Sequence, residues 1–110
     1  MFLAIVPAYN ESKRIGSVVR SLFDHVDMVV VVDDASRDAT ATLAQQAGAT
    51  VLQHTVNRGQ GAALETGHAY ARSIDATYVL HFDGDGQCNL LNINVQCLDN
   101  EEVFKLYCCK

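Results

Sequence analysis

Residues 28–34 read MVVVVDD, and this stretch decides the fold. Four consecutive valines without polar alternation are typical of a β-strand that is covered on both faces, which is the environment of a parallel sheet. The run ends abruptly on two carboxylates, Asp33 and Asp34. Taken alone, this acidic pair is better explained by a strand end and a helix cap than by a ligand site.

Helical patterns alternate with further apolar runs on both sides of this strand. Residues 2–6, 49–54 and 78–82 predict three more strands, and the first is expected to end at Pro7. Between them lie three predicted helices. The candidate cap of the first is Asn10 or Ser12 and that of the second is Ser36, and the third covers residues 62–72. The order β-α-β-α-β-α-β predicts an α/β fold, with a Rossmann-like parallel sheet of about four strands in the order 3-2-1-4 and helices on both faces.

Four polar loops follow the predicted strands, at residues 7–11, 33–34, 57–61 and 83–87. The carboxyl ends of parallel strands meet at one edge of a sheet, and ligands bind there where the strand order reverses. We therefore expect the four loops to line a single crevice.

The crevice is predicted to be acidic. Its carboxylates are Glu11, Asp33, Asp34, Asp83 and Asp85, and its nearby cation is Arg58. Asp83 and Asp85 are the first and third residues of the DGDGQ loop, residues 83–87. Two acids this close repel one another unless a cation lies between them. Oxygen ligands favour Mg²⁺ or Mn²⁺, which would let an acidic site hold a diphosphate.

Composition excludes several classes of protein. The chain has 110 residues, 49% of them apolar, and a net charge of −5 without a cluster of Lys or Arg, which argues against nucleic-acid binding. No apolar run approaches the roughly 20 residues that span a bilayer. The apolar start lacks a basic leader, so we expect a first strand there rather than a signal peptide. The expected location is the cytoplasm, either free or at the cytoplasmic membrane surface.

The loop sequences resemble the successive motifs of family 2 glycosyltransferases of the GT-A fold, nearest to the dolichyl-phosphate mannosyltransferase or polyprenyl-phosphate glycosyltransferase branch. The motifs that carry the resemblance are VPAYNE at 6–11, VVDDAS at 31–36 with Asp38 and Thr40, NRGQGAA at 57–63 and DGDGQ at 83–87. Each motif alone is weak, but four in order over residues 3–87 form a specific pattern.

The resemblance implies transfer of a sugar, with inversion, from a UDP- or GDP-sugar to a lipid phosphate such as polyprenyl phosphate or to another acceptor. By position, Pro7, Tyr9, Glu11 and Asp34 would contact the nucleoside, with Asp33 beside them. In the DxD pair, Asp83 would face the ribose or sugar, and Asp85, with Gln87, would coordinate Mg²⁺ or Mn²⁺. Arg58 is equally well explained as a phosphate contact or as a surface charge.

The resemblance stops at residue 87. We expect residues 1–87 to form a nucleotide-sugar-binding domain, the N-terminal part of a GT-A domain, and 88–110 to be an atypical or truncated tail. All four cysteines lie in that tail, and their spacing matches no usual zinc or disulfide pattern, so free thiols are expected: Cys88, Cys97, Cys108 and Cys109. No residue there is assigned as the catalytic base. Milder departures from the family pattern are Ala35 in place of glycine and Gln60 in place of lysine.

Two other functions stay open. A non-catalytic fragment would keep nucleotide binding without transfer. A dinucleotide-binding oxidoreductase is suggested by Gly59-x-Gly61 before a helix, although Leu64 occupies the third glycine position of that fingerprint. Whether the chain forms a homo-oligomer through an exposed sheet edge is also open.

Overall fold

The computed structural model describes residues 1–81 and, for the backbone alone, residues 93–97 and 105–109. The elements are β1 (Phe2–Ala8), α1 (Ile15–Leu22), β2 (Met28–Asp33), α2 (Thr40–Gln46), β3 (Thr50–Gln53), α3 (Gln60–Ser73), β4 (Tyr78–His81), β5 (Ile93–Cys97) and β6 (Lys105–Cys109).

The first four strands form a parallel sheet in the order β3-β2-β1-β4, which confirms the predicted order. Two further strands, which were not predicted, continue this sheet beyond β4. β6 pairs parallel with β4, and β5 pairs antiparallel with β6 at the edge. The tail after residue 87 therefore contributes strands to the same sheet.

Helices cover both faces of the sheet, as predicted. On one face, α1 packs Ile15, Val19 and Leu22 against alternate residues of β1 and β2, together with Ala44 of α2. On the other face, α3 packs against the remaining alternate residues of these strands. The four valines of β2 are fully buried because alternate valines enter each core.

One glycine allows α3 to lie directly on the central strand. A Cβ atom built on Gly67 would come within 2.4 Å of Cγ2 of Ile5, which is closer than real Cβ atoms approach. The helix can lie this close to the strand only because the residue has no side chain.

Several local expectations were wrong. β1 continues through Pro7 to Ala8, and a proline is tolerated there because the described pairing with β4 has already ended at Ile5. Neither α1 nor α2 has a side-chain N-cap. The first turn of α1 uses the carbonyl oxygen of Glu11 instead, which accepts from the N–H groups of Arg14 and Ile15.

Candidate functional site

The ends of three strands meet at one edge of the sheet. Ala8 at the end of β1 is in register with Asp33 at the end of β2, and the N–H of Asp34 donates to the Ala8 carbonyl oxygen at 2.9 Å. The N–H of His54 donates to the Asp33 carbonyl oxygen at 2.9 Å, which ties the end of β3 to that of β2. The loops after β1, β2 and β3 therefore begin side by side.

Hydrogen bonds join the first loop to the second. The N–H of Asn10 donates to Oγ of Ser36 at 2.8 Å, and Oδ1 of Asn10 accepts from the N–H of Arg37 at 2.9 Å. The N–H of Glu11 donates to Oγ1 of Thr40 at 2.9 Å. Asn10 and Ser36, which we expected to cap helices, instead connect the two loops and hold them in one conformation.

Asp38 completes this connection. Its carboxylate accepts from the N–H of Thr40 at 3.0 Å, from the N–H of Ser12 at 3.3 Å and from the Thr40 hydroxyl. The hydrogen bond from the Thr40 side chain is the main reason that the pKa of Asp38 lies below its usual value. Asp38 is therefore an ionised acceptor at neutral pH.

Asp34 is a buried carboxylate, 4% exposed, at the centre of the site. Its Oδ1 accepts from the N–H of Arg58 and from Nδ1 of His54, both at 2.8 Å, and its Oδ2 accepts from the N–H of Gly59 at 2.7 Å. Burial acts to raise the pKa of Asp34, but the hydrogen bonds from Arg58, His54 and Gly59 together lower it below its usual value. The side chain is therefore charged although it is buried.

Asp33 is also buried, but its carboxylate serves the loop itself. Oδ1 accepts from the N–H of Ser36 at 3.2 Å, and Oδ2 accepts from Nε2 of Gln53 at 3.4 Å. The alternative interpretation of the acidic pair, as a strand end, predicts such local hydrogen bonds. The two neighbouring aspartates thus differ in their surroundings.

A pocket of about 160 Å³ opens between the loops. It is lined by Pro7, Ala8, Tyr9, Glu11, Asp34, Gln60 and Ala63. The volume is below the 300 to 1,000 Å³ of sites for drug-sized ligands, so it accommodates a part of a ligand of that size. Tyr9 is 44% exposed and leaves its ring available to a ligand.

The structure brings four predicted site residues to this pocket, Pro7, Tyr9, Glu11 and Asp34, and leaves two outside its lining. Asp33 is not part of the lining, and Arg58 contributes its backbone N–H to Asp34 while its side chain is exposed. Three others, Asp83, Asp85 and Gln87, lie outside the described residues.

Sequence reasoning missed His54 and Thr66. Nε2 of His54 lies 2.8 Å from Oγ1 of Thr66, and that hydroxyl oxygen lies 3.0 Å from the carbonyl oxygen of Ala62. The position of His54 directly after a predicted strand was a signal, because the carboxyl ends of strands face the site. Thr66 lies inside a helix, where no local pattern distinguishes it.

Two other histidines contact each other on the face of the sheet that α3 covers. Nε2 of His81, at the end of β4, contacts Nε2 of His68, and the ring centroids are 4.4 Å apart. Burial, with a smaller contribution from His68, lowers the pKa of His81 to about 4. Burial and the charge of Arg72 lower the pKa of His68. A histidine inside an apolar strand is more often packed than a ligand, and the half-buried position of His81 agrees with a packing role.

Within residues 1–81, no three His, Cys, Asp or Glu side chains gather closely enough to hold a metal ion. In the same part of the chain, no helix has both the length and the apolar character that crossing a membrane requires.

The sequence matches relatives whose functions are named. It is 33% identical to a UDP-N-acetylglucosamine–dolichyl-phosphate N-acetylglucosaminyltransferase of Methanococcus voltae, with 76% of this chain and 40% of that protein covered. It is 30% identical to a dolichyl-phosphate beta-glucosyltransferase of Trichomonas vaginalis, with 88% of this chain and 33% of that protein covered.

The fold matches that of glucosyl-3-phosphoglycerate synthase from Mycobacterium tuberculosis. Its complex with Mn²⁺, UDP and glucosyl-3-phosphoglycerate is similar with a TM-score of 0.58 and 31% identity, covering 76% of this chain and 33% of the synthase. The synthase has also been crystallised with Mg²⁺ and UDP.

The chain spans 40% or less of the length of each of these three proteins. The pattern of Glycosyl transferase family 2 matches residues 3–93, which is six residues beyond the end of the resemblance seen in the motifs. The described strands and helices have the arrangement of the nucleotide-binding half of a GT-A domain. The chain therefore belongs to glycosyl transferase family 2.

Proposed function

We propose that the crevice binds the nucleotide of a UDP- or GDP-sugar, and that the chain is the nucleotide-binding part of a glycosyltransferase. The observation that carries this proposal is the pocket formed by the first three loops, with the charged carboxylate of Asp34 on its wall. A charged acceptor that is already held by three donors needs little reorganisation when it accepts from a ligand.

Four of the pocket residues have a chemical role in this proposal. The Tyr9 ring stacks on a base, and Pro7 supplies an apolar contact beside it. Asp34 accepts a hydrogen bond from a base N–H or a ribose hydroxyl. Glu11, whose carboxylate lies 3.9 Å from Nε of Arg14, stands at the rim and accepts from the nucleoside. Asp33, beside Asp34, holds the loop after β2 through its hydrogen bonds with Ser36 and Gln53.

The residues after β4 fit a divalent metal by their chemistry. Asp34 and Asp33 already accept hydrogen bonds on both carboxylate oxygens, so they are poor metal ligands. Asp83, Asp85 and Gln87 offer only oxygen donors suited to Mg²⁺ or Mn²⁺. In this proposal Asp85, with Gln87, would hold the metal, and Asp83 would face the ribose or sugar. When bound, the metal supplies positive charge to the departing diphosphate.

The acceptor in this proposal is a phosphate-bearing molecule such as polyprenyl phosphate. The Methanococcus and Trichomonas relatives are named for transfer to dolichyl phosphate. The mycobacterial synthase has been crystallised with phosphoglyceric acid and with glycerol 3-phosphate.

A titration of UDP in the presence of Mn²⁺ tests the metal proposal. We expect Asp85→Asn to weaken the binding of UDP by about tenfold, as expected for loss of a charged ligand. The matched control is Asp24→Asn, at an exposed carboxylate in the turn after α1, which should bind as the wild type does. An affinity for UDP that is the same with and without Mn²⁺, and the same in Asp85→Asn, would overturn the metal assignment.

A transfer assay tests the activity separately. The chain is incubated with radiolabelled UDP- or GDP-sugar, Mn²⁺ and polyprenyl phosphate, and the lipid product is extracted and counted. Labelled lipid supports transfer by this chain. Nucleotide binding without labelled lipid supports the alternative of a nucleotide-binding chain that does not catalyse transfer to this acceptor.

A further inference from the structure

We propose that His54 is a positioning residue that fixes the carboxylate of Asp34, so that one acceptor position, on Oδ2, remains for the nucleotide. This inference rests on the proposed nucleotide site and adds a residue that lies outside the pocket lining. It follows from counting the donors around Asp34.

An ionised carboxylate has about four acceptor positions, two on each oxygen. Oδ1 of Asp34 uses both, for the N–H of Arg58 and for Nδ1 of His54, each at 2.8 Å. Oδ2 uses one, for the N–H of Gly59 at 2.7 Å. One position on Oδ2 is left for a ligand in the pocket that Asp34 lines.

The contacts of His54 place a proton on Nδ1. The Asp34 carboxylate can only accept, so Nδ1 of His54 is the donor in this contact. On the other side of the ring, Nε2 lies 2.8 Å from Oγ1 of Thr66, whose hydroxyl donates to the carbonyl oxygen of Ala62 at 3.0 Å. Thr66 thus holds the far side of the ring while Nδ1 faces Asp34.

Burial makes this arrangement consequential. The side chains of His54 and Asp34 are only 7% and 6% exposed, so water cannot readily replace a missing donor. Without the Nδ1 donor, Oδ1 would have an empty acceptor position, and the carboxylate could rotate towards another donor. The two backbone N–H groups alone do not fix its rotation as three donors do.

His54 also joins three separate segments, because it follows β3 and contacts the loop after β2 and the helix α3. A purely structural role would therefore also make it sensitive to substitution. The two roles differ in which variants they tolerate. Asn can place its side-chain N–H close to the position of Nδ1, whereas Leu has similar bulk without a donor.

The test compares His54→Asn with His54→Leu by calorimetric titration of UDP and of GDP in Mn²⁺. We expect His54→Leu to weaken binding of the preferred nucleotide by about tenfold, because it loses a hydrogen bond to a charged group. His54→Asn keeps a donor at this position and should retain most of the affinity. Urea unfolding of both variants, at the same temperature, confirms that the compared samples are folded.

NMR of the ligand-free protein gives a second readout. The ¹⁵N signals of His54 should show a protonated Nδ1, the donor to Asp34. An unprotonated Nδ1 would overturn the inference.

The outcomes separate the two proposals. If the wild type binds neither UDP nor GDP, the proposed function fails, and the inference fails with it. If the wild type binds and His54→Leu binds equally well, only the inference is overturned. Equal weakening of binding by His54→Asn and His54→Leu would assign His54 a structural role and would also overturn the inference.

Discussion

Ala35 shows how much one residue can reveal about the site. It directly follows the acidic pair and has a φ of +62°, in the left-handed region that costs an L-residue roughly 1 kcal/mol or more. Glycine would adopt this conformation without strain. The sequence comparison with the family motifs already marked this position as one where glycine is usual, and the backbone supplies the physical reason.

We therefore expect Ala35→Gly to raise the free energy of unfolding by about 0.5 to 1 kcal/mol. The control is Ala69→Gly, at an exposed position inside α3, which should lower it by about 1 kcal/mol. Both changes are measured by urea denaturation. Destabilisation by Ala35→Gly would show that the strain at this residue is absent in solution.

His81 predicts a pH dependence of stability. Its pKa falls from 6.5 to about 4 on folding because it is buried beside His68. Between these values the unfolded chain binds more protons than the folded chain, so stability is lost as the pH falls from about 6.5 towards 4.

The neutral variant His81→Gln should therefore lose less stability than the wild type over this range. The measurement is urea unfolding of both proteins at pH 7 and pH 5 in a buffer with a metal chelator. Equal losses in the two proteins would contradict the assignment of this effect to His81.

At the scale of elements, the close contact between α3 and β1 depends on Gly67. Gly67→Ala would place Cβ 2.4 Å from Cγ2 of Ile5, so the Ile5 side chain or the helix must shift. We expect a loss of about 1 to 3 kcal/mol in the free energy of unfolding, the usual cost of overpacking a core.

Gly61→Ala is the matched control in the same helix. A Cβ there meets no atom within 4 Å, so the better helix propensity of alanine should raise stability by up to about 1 kcal/mol. Thermal or urea unfolding measures both variants. A Gly67→Ala protein as stable as the Gly61→Ala protein would mean that α3 does not pack this closely.

The strands and helices were predictable because their signals are local. The valines of β2 are visible as a continuous run, and the apolar residues of α1, Ile15, Val18, Val19 and Leu22, recur with helical spacing; all of them are buried. The roles of Asn10 and Ser36 were not predictable, because each finds its partner 26 residues away, across two loops. Local sequence offered a helix cap for each, whereas tertiary contacts used the same atoms to join the loops.

At the scale of the whole molecule, sheet order is what creates the site. Residues from β1, β2 and β3 loops and from α3 meet only because the strands are parallel and end at one edge. The sequence predicted this meeting from topology, and it predicted four of the residues that line the pocket. It could not predict the contact between His54 and Thr66, since that contact depends on how α3 lies across the strand ends.

The most direct test of the central claim, that this crevice is a nucleotide site, is an NMR titration of ¹⁵N-labelled protein with UDP, GDP and NAD in the presence of Mg²⁺. We predict that UDP or GDP will shift the backbone signals of Tyr9, Asp34 and Gln60, which border the pocket, and that NAD will not. Shifts confined to other parts of the sheet, or a response to NAD alone, would contradict the account.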